Sequence, residues 1–102
     1  MLKRQDKTHR DQVEIISLDA LVPKDHLVRK IDSTINFDFI YERVEDMYSD
    51  DVGRPSIDPV VLFKIAFIQY IFGIRSMRQT IKEIETNIAY RWFLGFGLSD
   101  TI

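Results

Sequence analysis

The chain has 102 residues, of which 45% are apolar and 12% aromatic, and its formal net charge at pH 7 is −2. This length fits one domain, and the apolar share is enough for a hydrophobic core and too high for a disordered chain. Cysteine is absent, which excludes a disulfide framework, a thiolate metal site and a cysteine nucleophile, and fits a reducing cytoplasm.

The first 20 residues are predicted to form an N-terminal tail or arm ahead of a helical domain over 21–98. Residues 1–12 are polar and mixed in charge, with no apolar stretch behind them that would mark a secretory signal. The β-branched residues that follow predict a short extended segment near 13–18, either a strand or an arm. Pro23 then interrupts the pattern.

Helical periodicity predicts an all-α fold with about five helices in a small bundle. The first helix begins after Asp25 as its N-cap and carries apolar residues on one face. The second runs from about Asp38 to Tyr48 with acidic residues outward, and residues 49–58 form the clearest loop.

A compact unit resembling a helix-turn-helix is predicted at 58–94. Its first helix begins at Asp58-Pro59 and is apolar nearly all round, so it should lie at the centre of the bundle. This apolar run contains Lys64 and is shorter than the roughly 20 residues that cross a bilayer. Gly73 is predicted to end the helix, and Ser76 with a glutamine three residues later forms a capping box for the next one.

The end of the chain, "NIAYRWFLGFGLSDTI", predicts a short aromatic helix that closes before Gly95. We interpret Trp92 and Phe93 as core anchors in preference to surface contacts. Ser99-Asp100 then has the pattern of an N-cap, so residues 99–102 are predicted to begin a segment that continues beyond this chain.

A catalytic site is not evident in the sequence. His9 and His26 have no partner at metal-ligand spacing, and adjacent carboxylates such as Glu45-Asp46 diverge on a helix and cannot converge on one substrate atom. Gly-rich phosphate loops and nucleophile elbows are also missing. We therefore predict that this chain alone is not an enzyme, and that it holds no cofactor or metal.

Basic and amide side chains at the start of the second helix of the 58–94 unit suit contacts to DNA phosphates and groove edges. The candidate DNA-binding residues are Arg75, Arg78, Gln79, Lys82 and Arg91. A solvated helix face explains the same pattern, and the net charge of −2 argues against DNA. For Arg91, an internal ion pair with Glu83, Glu85 or the acidic middle segment is the alternative.

The segment "GRPSIDPVVLFKIAFIQYIFGIRSMRQTIKEIETNIAYRWFLGFGLSD" resembles the N-terminal domain of bacterial insertion-sequence transposases of the InsH type. The shared features run from Arg54-Pro55-Ser56 through Gln69-Tyr70 to Arg91-Trp92-Phe93-Leu94-Gly95, and "LVPKDHLVRKID" adds a second stretch. The order and spacing of these features carry the resemblance, since each one alone is weak.

The resemblance implies a bacterial, cytoplasmic, nucleoid-associated protein that binds double-stranded DNA at the terminal inverted repeats of a mobile element. It also implies a downstream RNase H-like domain, whose Asp-Asp-Glu set holds a divalent metal, Mg²⁺, for strand cleavage and transfer. Members of this family continue with Pro-His-Ser-Thr after the last helix, whereas this chain stops at Ile102. The sequence is therefore interpreted as the DNA-binding part of a transposase without its catalytic domain.

Two other interpretations stay open. In the first, the helices form a dimerisation or docking module without DNA contact, which allows a homodimer. In the second, the chain is an inert truncated remnant. None of these three interpretations, DNA binding included, requires a membrane.

Overall fold

The computed structural model describes the backbone of residues 2–48 and 57–102, with side chains for 2–44 and 57–102. The described residues form α-helices and turns without any strand, which confirms the predicted all-α class. A single 3-10 turn at Thr8–Asp11 precedes the helices. The helices are α1 (Leu18–Leu21), α2 (Leu27–Thr34), α3 (Phe39–Tyr48), α4 (Pro59–Ile71), α5 (Met77–Thr86) and α6 (Ile88–Leu94).

The N-terminal segment differs from the prediction by one additional helical turn, α1. Residues 12–17 are not in a strand, and Gln12 and Ser17 at the two ends of this segment have extended backbone angles, in agreement with the arm alternative. The chain then forms α1, a single turn of helix that was not predicted. Its N-cap is Ser17, whose Oγ accepts a hydrogen bond from the Ala20 amide at 3.2 Å. This extra turn raises the helix count of the described residues to six.

Side chains at the helix starts follow ordinary capping chemistry, with one correction. Helix α2 is capped by His26, whose Nδ1 accepts from the Val28 amide at 3.1 Å, and not by Asp25. The backbone of His26 is extended, which aims its ring nitrogen at the free amide. Asp58 caps α4 as predicted, and Asn87 caps α6 by accepting from two amides.

Helix α4 packs against α3, α5 and α6, but it is less enclosed than its apolar sequence predicts, since Leu62, Phe63 and Tyr70 are exposed. Helix α6 contacts α1 and α2 in addition, so it joins the two halves of the fold. Three aromatic rings meet between these layers, with centroid distances of 5.9 Å from Phe37 to Phe67 and 5.7 Å from Phe37 to Phe93. Phe93 is almost completely buried, as its interpretation as a core anchor requires.

The last two predicted segments are the loop at 49–58 and the C-terminal residues 99–102. Most of the loop predicted at 49–58 falls outside the described residues, as do Arg54-Pro55-Ser56. At the other end, the Asp100 carboxylate accepts a hydrogen bond from the Gly97 amide at 2.7 Å and closes a turn. Ile102 packs against the core.

Candidate nucleic-acid interface

The connection between α4 and α5 is short because one glycine reverses the chain. Gly73 has φ 64°, a left-handed conformation that residues with a Cβ rarely adopt. The reversal lets the amide of Ile74 donate to the carbonyl of Gln69 at 3.0 Å, which satisfies the end of α4. Arg75 then lies exposed between the two helices.

The orientation of α5 is fixed by its buried side. Thr80 and Ile84 are both 0% exposed, and the Thr80 hydroxyl donates to the Ser76 carbonyl at 2.8 Å. The Ser76 hydroxyl accepts from the Gln79 amide at 3.1 Å, which supplies one of the two bonds of the predicted capping box. These contacts turn the opposite side of α5 towards solvent.

Four of the five predicted DNA-binding residues lie on this solvent side. The exposed residues are Arg75, Arg78, Gln79 and Lys82. Arg78 and Lys82 are four residues apart and therefore neighbours on one helix face. Within the described part of the chain, no ion pair involves these cations. We call Arg75, Arg78, Gln79 and Lys82 the α5 row.

The electrostatics of the α5 row are favourable at its N-terminal end. The first turn of α5 contains no acidic residue, so the partial positive charge of the helix N-terminus adds to the charges of Arg75 and Arg78. Glu85 is exposed further along and reduces the positive potential there. The site is therefore most attractive to an anion at the turn and the beginning of α5.

Glu83 lies on a different side of α5 from the basic residues. It is half-buried, and its Oε2 has no hydrogen-bond partner among the described residues. Burial, and in second place the charge of Glu83, raises the pKa of Tyr90 above its usual value. Glu83 thus acts on the core side of the helix.

Arg91 does not belong to an exposed surface, which corrects its assignment as a DNA contact. It is 8% exposed, and its guanidinium donates to the carbonyls of Glu85 at 3.1 Å, Gly97 at 2.8 Å and Asp100 at 2.9 Å. Among the described residues it forms no ion pair, so the internal interaction is with backbone and not with carboxylates. Gly95, with φ 86°, reverses the chain and brings the last two carbonyls to this side chain.

A second cluster of polar side chains escaped the sequence analysis. The Trp92 indole donates to Asp19 Oδ1 at 2.8 Å, and the Arg29 guanidinium lies 4.5 Å from the centre of the Trp92 ring. Arg29 also donates to Asp19 Oδ1 at 3.1 Å and to the carbonyls of Val22 and Pro23. The hydrogen bond from Trp92, followed by that from Arg29, holds the pKa of Asp19 below its usual value. We call Asp19, Arg29 and Trp92 the α1 clasp.

Lys64 is a third cation, after Arg91 and Arg29, that the fold largely encloses. Its Nζ donates to the Phe93 carbonyl at 3.0 Å, lies 3.8 Å from Asp32 Oδ1, and sits over the rings of Phe37 and Phe93 at 5.0 and 4.7 Å. A lysine within an apolar helix signals such an internal role, because an unpaired buried ammonium is costly. The sequence alone does not identify its partners.

The described residues provide no group of three or more His, Asp or Glu side chains that could hold a metal ion. The divalent metal that transposase chemistry would use therefore has no fitting ligand set among the described residues. The helices described here are too short or too polar for any of them to span a membrane.

The helical domain matches one known protein family. Residues 16–102 match the family described as Transposase domain (DUF772). The chain therefore belongs to this transposase-domain family, and the resemblance seen in its sequence is confirmed at that level. Searches of curated proteins and of solved structures gave no match.

Proposed function

We propose that this chain is a DNA-recognition domain of a transposase, and that it binds double-stranded DNA at the ends of a mobile element through the α5 row. The observation that supports the proposal most directly is the exposure of Arg75, Arg78, Gln79 and Lys82 on one side of the α4–turn–α5 unit. Family membership supplies the association with transposition.

The chemistry of the α5 row suits two kinds of DNA contact. The arginines and the lysine would neutralise phosphates, which gives affinity without reading sequence. Gln79 can donate and accept in the major groove, as an amide does when it pairs with adenine. Since Gln79 lies in the first turn of α5, the beginning of the helix would enter the groove, as in helix-turn-helix proteins.

Catalysis is proposed to belong to another part of the transposase. The strand-transfer reaction needs carboxylates that hold divalent metal, and the described residues of this chain contain no suitable cluster. A role in the nucleoid of a bacterial cytoplasm follows from DNA recognition and is part of the same proposal. A copy limited to this domain would occupy element ends without cleaving them.

The test is a fluorescence-anisotropy titration of a labelled DNA duplex at low salt. We expect saturable binding by the wild type and weaker binding by Arg78→Ala/Lys82→Ala. The matched control is Lys24→Ala/Lys30→Ala, which removes the same charge from exposed lysines next to and within α2. Equal affinity of both double variants would refute a specific role of the α5 row.

A docking module without DNA contact is the second candidate function. The net charge of −2 favours it, as do the exposed apolar side chains Leu62, Phe63 and Tyr70 on α4. This candidate predicts that the wild type does not change the anisotropy of the duplex even at low salt. The same titration therefore separates the two functions.

A further inference from the structure

Residues 2–17 form an arm that lies outside the helical body. All of their side chains are exposed, including Val13 at 96% and Ile15 at 106% of full exposure. Gln12 and Ser17 on either side of them have extended backbone angles, and in an extended chain side chains two residues apart point to the same side. Two large β-branched side chains in water favour burial against a partner, because apolar surface removed from water contributes about 25 cal/mol per Å².

The base of the arm is fixed to the body. Asp19, two residues beyond the arm, is held by the α1 clasp through bonds from Trp92 and Arg29. The arm therefore leaves the body from a defined point next to α6. The molecule measures 66 × 30 × 28 Å, and its radius of gyration of 17.5 Å exceeds the roughly 13 Å of a compact domain of this length.

A second exposed apolar surface lies where α3 meets α4. Phe39 and Phe63 pack edge to face with a centroid distance of 6.4 Å, and both remain more than two-fifths exposed. Leu62 precedes Phe63 on α4 and is equally exposed. We call Phe39, Leu62 and Phe63 the α3–α4 face. Its side chains offer an apolar surface on which the apolar side chains Val13 and Ile15 of an arm can pack.

The charges around these two surfaces are opposite in sign. Residues 2–12 of the arm carry the basic residues Lys3, Arg4, Lys7 and Arg10 and the acidic residues Asp6 and Asp11. The exposed charges near the α3–α4 face are those of Asp38, Glu42, Arg43 and Asp58, three acidic and one basic. Residues 2–12 have a net charge of +2, which Glu14 reduces to +1 for the whole arm, and the face has −2, so association between them is electrostatically favourable.

We propose that the arm of one copy docks on the α3–α4 face of a second copy, and that the reciprocal contact forms a two-fold symmetric dimer. In the structure every described residue of the arm is exposed, with Val13 and Ile15 almost completely so, and α1 at its base contacts α6 and not α3 or α4. Reciprocal exchange doubles the buried area at no further orientational cost, which makes exchange of a segment a low-cost route to dimers. This proposal does not depend on DNA binding.

Sedimentation velocity over a series of protein concentrations tests the proposal. We expect a concentration-dependent dimer for the wild type and self-association weakened about tenfold or more by Val13→Ser/Ile15→Ser. The matched control is Gln12→Ser/Glu14→Ser, which changes the opposite side of the same extended segment and should leave the dimer intact. Since these residues lie outside the helical body, neither variant should alter its folding.

Charge reversal adds a test of which surfaces meet. Lys7→Glu/Arg10→Glu on the arm and Asp38→Lys/Glu42→Lys at the face should each weaken the homodimer, and an equimolar mixture of the two should associate better than either alone. A wild type that stays monomeric, or a dimer that survives both arm variants, would overturn the proposal. So would a monomer whose DNA affinity falls on arm mutation, because the arm would then be a DNA contact.

Discussion

The molecule contains two groups of cationic side chains with opposite environments. Arg29, Lys64 and Arg91 lie within the bundle, where carbonyl oxygens and aromatic rings surround their charges. Arg75, Arg78 and Lys82 lie in solvent on the α5 row. In the sequence nothing next to these cations distinguishes the two groups. Burial therefore separates structural cations from those available to a ligand.

The difference teaches why a basic residue next to a recognition-like helix is weak evidence for DNA contact. Arg91 is close in sequence to α5, yet its donors are occupied by three backbone carbonyls. Arg78 has no such partner within the described part of the chain. An unoccupied donor with access to solvent is what a phosphate contact requires.

Replacing Arg91 should produce the largest effect. Arg91→Ala removes the donors for three carbonyls at a buried position, so we expect a loss of about 3 kcal/mol in the free energy of unfolding. Urea unfolding followed by circular dichroism measures this loss. Native stability in the variant would mean that the internal bonds of Arg91 are not needed and would reopen its role on the surface.

Lys64→Met should have a smaller effect of the same sign. Methionine keeps the apolar stem against Phe37 and Phe93 but loses the hydrogen bond to the Phe93 carbonyl. We expect a loss of about 1–2 kcal/mol by the same unfolding measurement, typical of one hydrogen bond from a charged group. A variant more stable than the wild type would show that the cost of enclosing the ammonium exceeds the benefit of its contacts.

The stabilisation that the α1 clasp gives to the native state should depend on pH. Hydrogen bonds from Trp92 and Arg29 lower the pKa of Asp19 from its usual 3.8, so the native state binds this proton less readily than the unfolded chain. The stabilisation is present above the usual pKa and is lost as pH falls through the lowered native value. Trp92, the single tryptophan, reports the change by fluorescence. The transition should disappear in Asp19→Asn.

Substitutions in the α5 row should change the free energy of unfolding least. Arg78→Ala/Lys82→Ala alters two exposed side chains without partners in the described residues, so we expect a change within about 0.5 kcal/mol in urea unfolding. A loss as large as that of Arg91→Ala would mean that these side chains support the fold. The contrast between surface and enclosed cations would then fail.

Local patterns in the sequence were enough to predict the helices that position the site. Periodicity and capping residues located α4 and α5, because Asp58, Gly73 and Ser76 act on neighbouring atoms of their own segment. The extra turn α1 was missed because its stability comes from contact with α6. Helix capping by His26 in place of Asp25 also escaped, since both residues can accept from a free amide.

The site itself was predictable where exposure follows from helix periodicity, and not where distant segments meet. The exposure of the α5 row could be predicted because the periodicity places Ile84 on the buried side of one helix, although Thr80 on the same side was not predicted. The bond between Asp19 and Trp92 spans 73 positions in the chain, which no local pattern reveals. For Arg91, one signal was present in the sequence: the residues around it, 88–90 and 92–94, are apolar on every side of a short helix, which indicates an enclosed helix.

The salt dependence of DNA affinity tests the central claim most directly. Each phosphate contact contributes a slope of about −0.9 to a plot of log affinity against log salt concentration. For the wild type we predict a linear fall, and for Arg78→Ala/Lys82→Ala a slope less steep by about 2. The Lys24→Ala/Lys30→Ala control should keep the wild-type slope. Identical slopes for all three proteins, or no binding at low salt, would contradict DNA recognition by the α5 row.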